Sequence, residues 1–187
     1  MRVGCELKRL SETLGIELFE VPLQAGWTYP CSLDDIGEVL ARIDRADLVG
    51  LAKVGLGPST RKRNSTNGRY VYEPGGSSIT LYSFADNLEY SYRNGRRIEQ
   101  LRQWYYRELM YGMQLDVEGG RVRLKWSAED LRLFISRHVL LHEVGHHVHQ
   151  MSRVRRGLAP ADASNFSEQL AEHYACRMTA MLFAGCG

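Results

Sequence analysis

Strand-like and helix-like apolar patterns alternate up to about residue 126 and give way to purely helical ones after it. Residues 16–23 (IELFEVPL) read as a strand ended by Pro22 and Gly26, and residues 48–56 as a second short apolar strand. Between them, residues 32–45 read as a helix with Ser32 as its N-cap and acids in its first turn. Two hairpins follow. Residues 69–73 and 78–84 flank Pro74-Gly75-Gly76, and residues 114–117 and 121–126 flank Glu118-Gly119-Gly120. In the last arm Arg121, Arg123 and Lys125 alternate with Val122, Leu124 and Trp126, giving one wet face and one buried face. A polar loop, residues 57–68, carries Arg61, Lys62 and Arg63, and residues 96–111 form an aromatic-rich helix.

Two helices close the chain. Ser127, with Asp130 three residues on, caps a long helix reaching about Met151, striped by Leu131, Phe134, Ile135, Val139 and Leu140. Gly157 and Pro160 break the chain before a last helix over residues 165–183. The expected class is α+β in a single domain, residues 1–187. Residues 1–126 would form an α/β upper part with a small sheet, and residues 127–187 a helical part that carries the chemistry.

Composition narrows the function only slightly. A chain of 187 residues with 44% hydrophobic and 25% charged content is ordinary for a globular protein with a sizeable core. Lys plus Arg is 24 and Asp plus Glu is 22, and this balance does not by itself call for nucleic acid or an acidic membrane. The basic clusters Arg61-Lys62-Arg63, Arg93 to Arg97 and Arg153 to Arg156 read as solvated surface, so a nucleic-acid partner is not favoured. With neither a long apolar run nor a leader-like start, a cytoplasmic location without membrane contact is expected. Cys5, Cys31, Cys176 and Cys186 are dispersed and form no C-x-x-C pair, so reduced thiols are expected instead of a cysteine metal site.

The chemistry sits in His142-Glu143-Val144-Gly145-His146. Histidines four apart on a helix lie about 40° apart around its axis and one turn along it, so both rings can reach one metal ion. Glu143 points about 100° away from His142, beside the metal, where its carboxylate can take a proton from water. Catalytic zinc takes three protein ligands and leaves one position open. The metzincin continuation is excluded, because it needs glycine at 149 and histidine at 152 where this chain has His149 and Ser152. Glu168 on the last helix is the candidate third ligand, with Ala171 and Ala175 beside it letting two helices approach. Glu172, one turn on, is placed to hold the far nitrogen of a ligand histidine. Glu168 is also the last residue of a capping box starting at Asn165, which would leave Glu172 as the substitute ligand.

H-E-x-x-H followed by E-x-x-A-[D/E/N] resembles the gluzincin class of zinc metallopeptidases. The stretch from Arg137 to His146 is similar to the ImmA/IrrE-like bacterial metallopeptidases and the minimal gluzincins. The run Glu168-x-x-Ala171-Glu172-x-Tyr174 is similar to the zinc helix of lethal-factor-type toxins. The resemblance covers residues 137–150 and 167–175 and implies a zincin-like fold. It also implies one zinc ion on His142, His146 and Glu168, with Glu143 as general base in peptide-bond hydrolysis. In that class the strand before the active-site helix lines the cleft and pairs with an extended protein or peptide substrate. Residues 78–84 are the candidate for that strand.

The group that would polarise the scissile carbonyl matches no motif, and Tyr174, His173 and His149 are the nearby candidates. Its absence keeps open a non-catalytic binding or regulatory protein, one that could act at DNA-bound partners. His149 is about 10 Å along the helix from His142 and reads as cleft wall or interior. His147 reads as structural or exposed, His138 as core, and Trp104 to Tyr111 as core aromatics.

Overall fold

The computed structural model describes residues 12–59, 67–73, 75–160 and 165–183. Its elements in chain order are β1 (Glu17–Glu20), β2 (Trp27–Thr28), α1 (Leu33–Leu40), α2 (Arg45–Leu48), β3 (Leu51–Gly57), β4 (Gly68–Val71), β5 (Ser77–Tyr82), β6 (Phe84–Ala85) and β7 (Glu89–Arg93). They continue with α3 (Ile98–Trp104), α4 (Tyr106–Met110), β8 (Gln114–Glu118), β9 (Arg121–Lys125), α5 (Ala128–Leu133), a π-helical segment (Phe134–Val139), α6 (Leu140–Arg155) and α7 (Asn165–Phe183). The class is mixed α and β, with small sheets and a helical C-terminal part.

The main sheet has the order β1-β3-β5-β4. β1 and β5 both run parallel to β3, while β4 runs antiparallel to β5 with Tyr70 opposite Ile79. β4 therefore lies at one edge of this sheet and β1 at the other. Residues 78–84 do not line a free edge, because β5 is flanked by β3 and β4. Val54, Leu56, Ile79 and Leu81 are fully buried and face Ile36 and Leu40 of α1 and Leu140, Leu141 and Val144 of α6 in one core. A second sheet, β7-β9-β8, pairs Asp116 with Arg123 and Glu118 with Arg121 on its wet face, while Val122 and Leu124 are buried.

Several elements differ from the sequence expectation. The helix expected over residues 32–45 ends at Leu40, and a short α2 follows, opened by the Asp44 side chain on the Ala46 N–H. The strand expected from residue 48 begins at Leu51. The aromatic helix breaks at Tyr105, whose hydroxyl joins that of Tyr92 at 2.9 Å. Trp104 and Tyr106 are exposed rather than core, and the Arg96 guanidinium lies 3.7 Å above the Trp104 ring. β7 was not expected, and its exposed face hides its strand character. The long helix reaches Arg155 and widens to a π turn at Phe134–Val139, where the Ser136 hydroxyl donates to the Arg132 carbonyl at 2.7 Å.

Cys31 is buried, which pushes its thiol up to about 12, and Cys176 is exposed; both are free. The cluster Arg61-Lys62-Arg63, like Cys5 and Cys186, lies outside the described residues. Among the described residues no helix is long and apolar enough to cross a membrane.

α6 and α7 approach backbone to backbone. A Cβ at Gly145 would lie 2.7 Å from the Ala171 Cα and 2.8 Å from its carbonyl oxygen. Both are backbone atoms, so the helices themselves would have to part. Gly145→Ala is expected to destabilise the fold by about 1–3 kcal/mol despite its better helix propensity, measured as a lower urea midpoint with unchanged slope.

Candidate metal centre

α6 presents His142 and His146 on one face, with ring centroids 4.8 Å apart and Nε2 atoms 3.1 Å apart. Glu168, in the first turn of α7, places Oε2 3.2 Å from His142 Nε2 and Oε1 3.4 Å from His146 Nε2. Bonds of about 2.1 Å to a tetrahedral ion set its donors about 3.4 Å apart, close to the 3.1 Å between the two imidazole nitrogens and to the 3.2 and 3.4 Å from them to the two Glu168 oxygens. The group His142, His146 and Glu168 can therefore hold one metal ion and leave a fourth position free. Of the two roles open to Glu168, its carboxylate takes the one against the histidines.

Glu143 is buried at 7% exposure beside this group. Burial pushes its carboxyl up to about 7, against the pull of His142 and of a hydrogen bond donated by the Tyr70 backbone N–H. That bond comes from the edge strand β4. Gly68 of the same strand leaves room for the carboxylate, since a Cβ there would lie 3.0 Å from Glu143 Oε1 and 2.9 Å from Val139 Cγ1.

The ligand histidines are held from behind. His142 Nδ1 lies 3.4 Å from Glu172 Oε2, and His146 Nδ1 lies 3.2 Å from the Ser167 hydroxyl. Such contacts select the tautomer with Nε2 free for a metal. Glu172 Oε2 also lies 3.4 Å from His138 Nε2, and Arg107 of α4 pairs with its other oxygen. Burial opposes ionisation of Glu172, but the contacts with His138 and His142 and the Arg107 charge outweigh it, holding the carboxyl well below its usual range. Burial alone would lower His142. The Glu172 contact and the charges of Glu143 and Glu168 outweigh that and hold it above 6.5. His146 lies below its ordinary value, through burial and the neighbouring His142.

The remaining histidines and Tyr174 stand elsewhere. Tyr174 is buried and its hydroxyl donates to Asp47 Oδ2 of α2 at 2.8 Å. Six residues past Glu168, it is turned about 120° around the helix from the metal face, so it does not act on a substrate carbonyl there. His149 is half-buried one turn beyond His146, outside the donor group, with its pKa lowered by burial and by Arg153 and Arg156. His173 is exposed. His147 is fully buried, its Nε2 3.2 Å from the Val49 carbonyl and its ring edge-on to Tyr70. His138 is core, stacked on Phe134, and also serves Glu172. Arg153, Arg155 and Arg156 bond to Ala159, Ala46 and Ser152, finishing the end of α6. Sequence reasoning missed Ser167, Arg107 and the Tyr70 N–H. Ser167 was open to recognition as the neighbour of Glu168, and the other two depend on contacts distant in sequence.

Comparison of the chain with known protein families, curated proteins and solved structures finds no match. The functional reading therefore rests on this geometry and on the motif.

His146→Ala and Glu168→Ala should each abolish near-stoichiometric metal binding by elemental analysis, while Glu172→Gln should weaken it about 10–100-fold. His142 must shed its proton to ligate, and its pKa is raised. Metal affinity should therefore fall as pH drops toward and through the raised pKa of His142, measured by competition with a chelator across a pH series.

Proposed function

We propose that the protein is a zinc-dependent peptidase of gluzincin type. The observation that carries this reading is the buried Glu143 carboxylate, fixed by β4 beside a two-histidine, one-carboxylate donor group. Two imidazole nitrogens, one carboxylate oxygen and an open fourth position suit zinc in a hydrolytic site. Zinc held there supplies Lewis acidity, polarising a peptide carbonyl and acidifying water.

The chain's own residues do the rest. Glu143, poised near neutrality, accepts the proton of the attacking water and passes it to the leaving amine. Glu172 and Ser167 keep the two imidazoles aimed. β4 pairs with β5 alone among the described strands, so the groups of its outer edge other than the Tyr70 N–H, which holds Glu143, can pair with an extended peptide. That lays the scissile bond past Glu143, in the role first expected of residues 78–84.

Tyr174 favours a second reading, a metal-binding protein without hydrolysis, because its commitment to Asp47 removes one carbonyl-polarising candidate. Glu143→Gln separates the two. Under the peptidase reading the variant keeps its zinc and loses about 10²–10⁴-fold in cleavage of an unfolded protein substrate. Retained zinc in the wild type with no cleavage of any peptide mixture would leave the second reading standing.

A further inference from the structure

A cavity of about 340 Å³ lies between the second sheet, the β2–β6 pair and the end of β5. Its walls are rich in aromatics, with Trp27, Tyr90, Tyr92, Tyr105 and Trp126 among them. Among the described residues that line it, the charged ones are both acids, Glu89 and Glu108, and none is a lysine, arginine or histidine. Aromatic faces and carboxylates attract the same class of ligand, a cation on an apolar stem.

Two further observations tie the cavity to binding and to the metal centre. Leu88, in its wall, has φ 54°, the one non-glycine residue with positive φ among the described residues. A leucine in the left-handed region is strained, and such strain gathers at ligand sites. Asn67 also lines the cavity and directly precedes Gly68, the residue packed against Glu143. The cavity wall and the strand that holds Glu143 are thus joined through consecutive residues. Burial raises the Glu108 carboxyl above its ordinary value, a cost that a bound cation offsets.

We propose that this cavity receives an arginine or lysine side chain of the polypeptide, next to the bond that is cut. The assignment of that polypeptide as substrate rests on the peptidase reading; the charge preference of the cavity does not. The aromatic walls sandwich the aliphatic stem, and Glu108 and Glu89 meet the charged head. The size falls within the range of sites that enclose a ligand group.

The test uses the full chain with two isosteric probes, benzamidine as the cation and benzamide as the neutral control. Binding is followed by the fluorescence of Trp27 and Trp126 and by calorimetry. Benzamidine is expected to bind about tenfold or more tighter than benzamide, and Glu108→Gln to remove most of that ratio while leaving benzamide binding unchanged. Unchanged benzamide binding shows that the variant is folded; if it is disturbed, Glu89→Gln provides the same comparison. Equal binding of the two probes, binding of neither, or a preference untouched by both variants overturns the proposal. Cleavage of a degenerate peptide mixture then separates the two readings. Cuts without a basic residue at a fixed neighbouring position sink the cavity assignment and leave the peptidase. Absence of cuts alongside a clear benzamidine preference sinks the peptidase and leaves the cavity as a site for cationic side chains.

Discussion

The near contact of α6 and α7 at Gly145 and Ala171 is the constraint on which the metal centre depends. Backbone against backbone, the pair leaves no room for even one methyl group. That closeness lets a short carboxylate on one helix reach two imidazoles on the other. A wider separation would carry Glu168 out of the 3.2–3.4 Å range at which it now meets both rings. The apolar residues beneath, Leu140, Leu141, Val144 and Ala175, bury the rest of the seam and anchor it to the sheet. Packing, rather than any affinity among the polar groups, brings the donors together.

Glu172 organises charge around the centre as Gly145 organises space. One carboxylate faces His138, His142 and Arg107, residues from the π segment, α6 and α4. A half-buried charge of this kind is costly unless several partners share it. Here the partners are also the means by which the aromatic region around Tyr105 and Glu108 is tied to the histidines. The electrostatics of the cavity wall and of the metal centre are thus linked: Glu108 feels the charges of Arg107, His138 and Glu172.

The local parts of this arrangement were legible in the sequence. Helix periodicity alone puts His142 and His146 on one face and Glu143 off it, and the same arithmetic puts Glu168 and Glu172 together. Hairpin turns showed at their glycines, and the alternation of β9 declared its buried face. Features set by distant residues were not legible. Tyr174 looked like a free hydroxyl near the site until Asp47, on another helix, claimed it. β5 looked like the cleft strand, but strand order is a property of the sheet, and β4 took the edge. The break at Tyr105 and the π turn at Phe134–Val139 each coincide with one side-chain bond that composition does not announce.

Tyr70 joins these levels in one residue. Its N–H holds Glu143, its hydroxyl meets Ser77 at 2.9 Å, and its ring rests on His147. Alternate residues of a strand face opposite sides, so a slip of β4 by a single position against β5 would invert its side chains. Glu143 would be unhooked and a side chain driven toward the space kept clear by Gly68, while His142, His146 and Glu168 stayed where they are. The alignment of two strands outside the metal group is therefore a requirement of the proposed chemistry that metal content alone cannot report.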